Sequence, residues 1–339
     1  MKRISLFDTS HVVIKGLPFL TENHLNRFPK EDMIDIFQEN KALEFLSYHL
    51  SGGVLCFETT AEKLNFQIAY ANEPLMNHMS PLGESGFDLY VIDQHEFIFY
   101  DSIRPFPRQK EINITVNLPQ SKPVKLMMYT PLYARVLSAE VLLEDDEFIR
   151  PFDPKYKGQM LWYGTSITQG ACASRPGMSY TNQLSRFLHM EMINLGFSGN
   201  GLGELSVAKV THKLKDLDAI IIDYEANAGA LGKLKDTLIP WILTVREKHQ
   251  SIPIIIISRI PFVRERWIKD DHEKRMMHHQ FQKDIVEQLK DMHPLYFVDG
   301  EKLIDIDETD VTVDGIHLND LGMTLFAKRM KDYFKDLGF

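Results

Sequence analysis

The sequence is short of the features that would mark several function classes at once. Of 339 residues only two are cysteine, Cys56 and Cys172. That is too few for a disulfide framework, and each reads as a small buried hydrophobe. No apolar run approaches the roughly 20 residues needed to span a bilayer; the longest, such as Ile254 to Ile257, stop far short. Positive charge is also in deficit, with 38 Lys and Arg against 47 Asp and Glu and a formal net charge of −9. A nucleic-acid binder usually carries a basic stripe, and an anionic membrane surface would repel this balance. Met1-Lys2-Arg3 could open a signal peptide, but Asp8-Thr9-Ser10-His11 interrupts any apolar segment behind it. Internal repeats and low-complexity tracts are missing as well. These absences point to a soluble, cytoplasmic protein acting on a small neutral or weakly polar substrate. Neither nucleic acid nor membrane is expected as a partner, and the oligomeric state stays open.

What is present is ordinary globular material, 44% apolar and 25% charged, in a length that suits two domains. From about Gly53 to Leu143 short β-like runs alternate with turn residues. Val54 to Glu58, Phe87 to Val91, Glu96 to Tyr100, Ile112 to Val116 and Ala134 to Leu143 are the clearest. Many short strands at spacings near ten residues predict a β-sandwich or jelly roll. Asp32 to Leu46 could hold a short helix. Arg150-Pro151-Phe152-Asp153-Pro154 reads as a boundary, because proline restricts the backbone and ends both strand and helix. We therefore divide the chain into a β-rich domain, 1–150, and a second domain, 151–339.

Beyond that boundary the strands change character. Met160 to Tyr163, Met192 to Leu195, Ala219 to Asp223, Ile252 to Ile257 and Leu295 to Val298 are short and mostly continuously apolar. Strands buried on both faces of a parallel sheet have this look. Helical patterns lie between them, at Tyr180, Leu184 and Leu188 and at Phe281, Ile285 and Leu289. The last is capped by Asn319 and carries Leu321, Leu325, Phe326, Met330, Phe334 and Leu337. The predicted fold class is α/β: a doubly wound, three-layer C-terminal domain behind an N-terminal β-sandwich.

Ligands of doubly wound sheets bind beyond the carboxyl ends of the strands, so the loops there are the candidates to carry chemistry. The first is Gly164-Thr165-Ser166-Ile167-Thr168-Gln169-Gly170. Gly164 would permit an unusual backbone shape, and Ser166 is either a turn or capping residue or a nucleophile. As a nucleophile it needs a base, and the base an orienting acid. Asp314 and His317 stand three apart before the last helix. That spacing can bring a carboxylate to one imidazole nitrogen while the other faces the serine. Donors for an oxyanion could come from Gly196-Phe197-Ser198-Gly199-Asn200-Gly201 or from the amide of Asn227, although both also read as turns.

Together the four loops resemble the SGNH (GDSL-like) hydrolases. Gly164-Thr165-Ser166-Ile167-Thr168 is similar to their first block, with threonine where aspartate is common. Asn194 to Gly199 is similar to the second, which implies Gly199 as a backbone oxyanion donor. Glu225-Ala226-Asn227-Ala228 stands where Gly-x-Asn-Asp is usual, implying Asn227 as a side-chain donor without its ordinary neighbours. Asp314-Gly315-Ile316-His317 matches the last block. The resemblance covers roughly 157–339 and implies a flavodoxin-like sheet. Gly86-Phe87-Asp88-Leu89-Tyr90 and Ala173 to Met178 are similar to one branch with a Gly-x-Asp-Leu-Tyr β-rich domain. Several two-domain SGNH enzymes with an N-terminal jelly roll deacetylate carbohydrates, so the resemblance implies an O-acetyl sugar, as a small-molecule or oligosaccharide ester, as substrate.

The implied reaction runs through an acyl-enzyme, with Ser166, Gly199, Asn227, Asp314 and His317 as site residues and no metal or organic cofactor required. Arg175, Asp88 and Tyr90 could shape the mouth of the site or serve structure alone. A lipase or thioesterase, or an inactive carbohydrate-binding protein whose Phe97, Phe99, Tyr100, Tyr129 and Tyr133 stack on sugars, are the alternatives. Those aromatics read mainly as core. A dinucleotide site is not supported, because Gly199-Asn200-Gly201 is followed by Glu204 where glycine is required. His272, Glu273, His278 and His279 could suggest a metal but read as a solvated helix face.

Overall fold

The computed structural model describes residues 1–94, 96–119 and 123–339. The chain forms two compact units. The first comprises Met1–Lys30, Ser47–Tyr156 and Ser174–Gly177, and the second Glu31–Leu46, Lys157–Ala173 and Met178–Phe339. Residues 31–46 and 174–177 thus group with the unit on the other side of residue 150.

The first unit is a sandwich of two antiparallel sheets. One has the strand order Lys2–Ser5, Val136–Leu143, Lys63–Tyr70, Glu111–Asn117. The other runs Ile149–Pro151, Val54–Thr59, Val124–Tyr129, Phe87–Asp93, Glu96–Ile103, with Val13–Lys15 also paired to Val54–Thr59. Alternate residues of Lys63–Tyr70 are buried, the period-two pattern of a sheet with one face on a core. Leu64, Phe66 and Ile68 meet Leu55, Phe57 and Leu89 of the opposite sheet in that core. Val54–Thr59 is buried throughout, because Cys56 and Val54 pack on the other face with Tyr90, Met127 and Tyr129.

The proline-rich stretch after residue 149 is not purely a linker. Pro151 stands opposite Phe57 in a three-residue edge strand, a place where a missing N–H costs no ladder bond. The aromatics divide: Tyr129 and Tyr133 are buried, whereas Phe99 and Tyr100 are exposed.

The second unit is built on five parallel strands, Gln159–Gly164, Glu191–Gly196, Leu217–Asp223, Ile254–Ile257 and Leu295–Val298. Counted along the chain, their spatial order is 2-1-3-4-5, the flavodoxin-like order. Neighbouring residues of a strand point to opposite faces, and the first strand shows what covers each. The Trp162 ring packs edge-on against Tyr180 and Phe334, from helices Tyr180–Leu188 and Asp320–Asp336. Tyr163 stacks on Trp241 of helix Leu234–Arg246 at 4.9 Å. Asn319 caps the last helix by accepting from the Gly322 N–H. Its buried stripe is Met323, Phe326, Ala327, Met330 and Phe334; Leu321, placed on that face by the periodicity, is exposed.

Helix Lys269–Gln288 corrects another expectation. His278 and His279 do not lie on a solvated face: His278 Nδ1 is 3.6 Å from the Glu225 carboxylate and His279 Nδ1 is 3.5 Å from Asp299. Among the described residues no helix is long and apolar enough to cross a membrane.

Candidate active site

The first parallel strand ends at Gly164, and Thr165 turns the chain into a one-turn helix, Ser166–Gln169. The Thr165 side chain and that of Thr168 form a reciprocal capping box, which satisfies N–H groups that have no partner within the helix. Gly164 is needed for space, not for an unusual backbone. A Cβ there would lie 2.0 Å from Thr168 Oγ1 and 2.7 Å from the Asp223 carbonyl oxygen. Ser166 therefore emerges at the helix start as a largely buried residue, 8% exposed.

The Asp314 to His317 loop explains the three-residue spacing. Asp314 Oδ1 accepts from the backbone N–H groups of Ile316 (3.0 Å) and His317 (2.8 Å), folding the loop back on itself as Asx turns do. Oδ2 then meets His317 Nδ1 at 2.7 Å. A carboxylate only accepts, so the proton sits on Nδ1 and Nε2 is left as an acceptor. Ser166 Oγ lies 2.9 Å from that Nε2. Burial, the largest influence on Asp314, pushes its carboxyl up, but the bonds from His317 and Ile316 together hold it below its ordinary value.

The Gly196 to Gly203 loop follows the second strand. Gly199 has φ +65°, a left-handed conformation that side chains disfavour. Among the described residues its N–H has no hydrogen-bond partner. The loop is tied to the serine helix, since Gln169 Oε1 accepts from the Ser198 N–H at 2.9 Å. Asn227, from the loop after the third strand, donates its side-chain amide to the carbonyl oxygen of Asn200. The structure thus joins Ser166, His317 and Asp314 in one relay, and Gly199 and Asn227 through Asn200. No direct hydrogen bond links the two groups among the described residues.

Several residues around the site have no role assigned from the sequence. Asp223, which ends the third strand, accepts from Thr168 Oγ1 (3.1 Å) and Tyr180 Oη (3.0 Å). Burial pushes its carboxyl up to about 7, against the pull of those two bonds. Asn194 donates to the Thr168 carbonyl oxygen at 2.7 Å and anchors the end of the serine helix. Asn194 and Gln169 stand inside the sequence blocks and Asp223 ends a predicted strand, but their roles are not legible there because each acts through a partner far along the chain.

A cavity of about 440 Å³ adjoins the Asn227 loop and is lined by Glu225, Ala226, Arg259, Phe262, Arg264 and Lys274 among others. Ser166 and His317 are not among its lining residues. The histidine loop is tied to the segment after Phe262, the Val263 N–H donating to the Gly315 carbonyl oxygen at 3.0 Å.

Arg175, Asp88 and Tyr90 form a separate knot inside the first unit. Asp88 is fully buried; its Oδ2 accepts from Arg175 Nη1 and the Gly177 N–H, both at 2.7 Å, and its Oδ1 from Ser102 at 2.8 Å. Arg175 Nη1 also donates to Tyr90 Oη at 2.9 Å, and its guanidinium lies 3.8 Å from the centre of the Phe99 ring. In this unit the motif around Asp88 fastens residues 174–177.

Comparison with known proteins bears on the family and the fold. A model of the GDSL-like lipase/acylhydrolase family matches residues 157–335, and one described as the N-terminus of SGNH-hydrolase-type esterases matches residues 5–149. No curated protein sequence matches the chain. A crystal structure from Bacteroides ovatus, described as a GDSL-like lipase, is 26% identical with a TM-score of 0.89, covering 99% of this chain and 97% of that one. A salicylyl-acyltransferase from a tetracycline biosynthetic pathway is 17% identical with a TM-score of 0.79 over the same shares. A family two carbohydrate esterase from Clostridium thermocellum, in complex with cellohexaose, is 13% identical with a TM-score of 0.61, covering 85% of this chain and 93% of that one.

Proposed function

The chain belongs to the GDSL-like lipase/acylhydrolase family, and from that premise we propose that it is a serine esterase removing small acyl groups, acetyl foremost, from carbohydrate hydroxyls. The observation that carries the reading is the unbroken relay Ser166 Oγ, His317 Nε2, His317 Nδ1, Asp314 Oδ2, with steps of 2.9 and 2.7 Å.

In the forward step Ser166 Oγ bonds to the ester carbonyl carbon while its proton passes to His317 Nε2. Asp314 holds the ring and stabilises the imidazolium so formed. The carbonyl oxygen becomes an oxyanion, received by the N–H of Gly199, the amide of Asn227 and the Ser166 N–H. Losing one such donor typically costs on the order of 3 kcal/mol of transition-state stabilisation. Collapse breaks the bond to the alcohol oxygen, which leaves with the proton from Nε2. Water then repeats the cycle on the acyl-enzyme, its proton going to Nε2, and releases the acid.

The carbohydrate assignment draws on the fold shared with the carbohydrate esterase, an argument by analogy. The test is a hydrolysis panel of acetylated monosaccharides, acetylated xylo-oligosaccharides and long-chain esters, with wild type and Ser166→Ala. The acetylated sugars should be cleaved fastest, and Ser166→Ala should lose activity by about 10⁴-fold or more while keeping its fold. A preference for long-chain esters would replace this reading with a lipase. Equal rates for wild type and variant would remove the esterase altogether.

A further inference from the structure

The oxyanion loop is held by a residue that no site motif contains. Residues 31–46 lie between two stretches of the first unit in sequence, yet they group with the second. Their helix Met33–Glu39 ends at Asn40, whose side-chain amide Nδ2 donates both to Asn200 Oδ1 (3.0 Å) and to Glu204 Oε1 (2.6 Å). The Asn200 carbonyl oxygen in turn accepts the Asn227 amide, and Asn200 Nδ2 donates to the Ser198 carbonyl oxygen at 3.0 Å. Ser198 and Asn200 are the neighbours of Gly199 on either side. Glu204 is itself fixed, its other oxygen accepting from Tyr163 Oη and from the Leu202 N–H.

The clamp has a second jaw. The Glu39 carboxylate accepts from the N–H groups of Leu205 (2.9 Å) and Ser206 (2.8 Å). It caps a helix, Leu205–Val210, whose N-cap residue Glu204 makes no side-chain cap of its own. Lys213, just beyond, pairs with Glu31 and Asp32. Both ends of the segment after the second strand are thereby pinned by the excursion, and Asn40 reaches the part that carries the donors.

We propose that Asn40 is a positioning residue for the oxyanion-binding loop: by holding Asn200 it sets the places of the Gly199 N–H and the Asn227 amide. The proposal rests on the esterase reading for its catalytic consequence and on the geometry alone for the coupling. A donor misplaced by about 1 Å can cost up to about 100-fold in rate, and the loss falls on kcat because the oxyanion forms only in the transition state.

Asn40→Asp is the sharpest probe. It is isosteric and keeps the oxygen that accepts from the Ala42 N–H at 3.1 Å, while it removes the donor and sets a carboxylate against Glu204. Asn40→Ala is the second variant. Both would be assayed on the best ester of the panel, and hydrogen exchange of the whole chain followed by mass spectrometry. The expected result is a kcat lowered about 10- to 100-fold with KM changed by less than about threefold. Exchange should rise across residues 197–203 and stay unchanged in the strands Gln159–Gly164 and Leu217–Asp223. Variants with wild-type kcat and unchanged loop exchange would overturn the proposal. So would exchange raised through both strands, which would make Asn40 a general folding residue. If the wild type hydrolyses none of the esters, the esterase reading fails and the loop exchange alone decides the coupling.

Discussion

Asp314 spends its two oxygens on different tasks, and the division decides how it should behave when changed. One oxygen folds the loop through the Ile316 and His317 N–H groups, and the other fixes the imidazole. Asp314→Asn can keep the first but offers Nδ1 an amide that need not accept, so the ring tautomer is no longer dictated. We expect kcat to fall about 10³- to 10⁴-fold with little change in KM, measured on the same ester as wild type. The linked stability effect has a definite sign. The folded carboxyl is held below its ordinary value of 3.8. Its stabilisation is therefore present above that value and is lost as pH falls through the lower, folded one. The melting-temperature gap between wild type and Asp314→Asn should be full near neutrality and close in acid; a gap that widens in acid would contradict it. The meeting of Asp314 with His317 is legible in the sequence because it is local. That of Ser166 with His317 is legible only through the order of the strand-end loops. Asn40 lies 160 residues from Asn200, and nothing in its neighbourhood signals that pairing.

At the scale of elements, the continuous apolar runs identify the five parallel strands because burial on both faces removes any polar alternation. The antiparallel strands are less uniform in the sequence. Lys63–Tyr70 and Val124–Tyr129 escaped notice beside their neighbours, and the proline in Ile149–Pro151 disguised an edge strand. Leu321 shows a limit of periodicity. Periodicity locates a face, while the neighbouring element decides how far that face is covered. Strand Phe87–Asp93 offers the clearest test at this scale. Asp88→Ala removes the partner of Arg175 from a place where Asp88 is fully buried and the Arg175 side chain 19% exposed. Leaving such a charge unpaired costs about 3–5 kcal/mol, so denaturant unfolding should shift by about that much. A shift below about 1 kcal/mol would mean that the Arg175 cation is held by Phe99 and Tyr90 without it.

Over the whole molecule, two units each enclose their own core, and the chemistry proposed here belongs to the second. Its sheet order puts the serine loop, the Gly199 loop and the Asn227 loop at the carboxyl ends of adjacent strands, where a doubly wound fold leaves its crevice. The central claim is that Ser166 becomes the acyl carrier. The most direct measurement is to mix the protein with an activated aryl acetate, quench in acid during turnover, and map the peptides by mass spectrometry. The account predicts the mass of one acetyl group on the peptide carrying Ser166, absent in Ser166→Ala. Sustained turnover with that peptide unmodified, or with the acetyl group on another side chain, would contradict it.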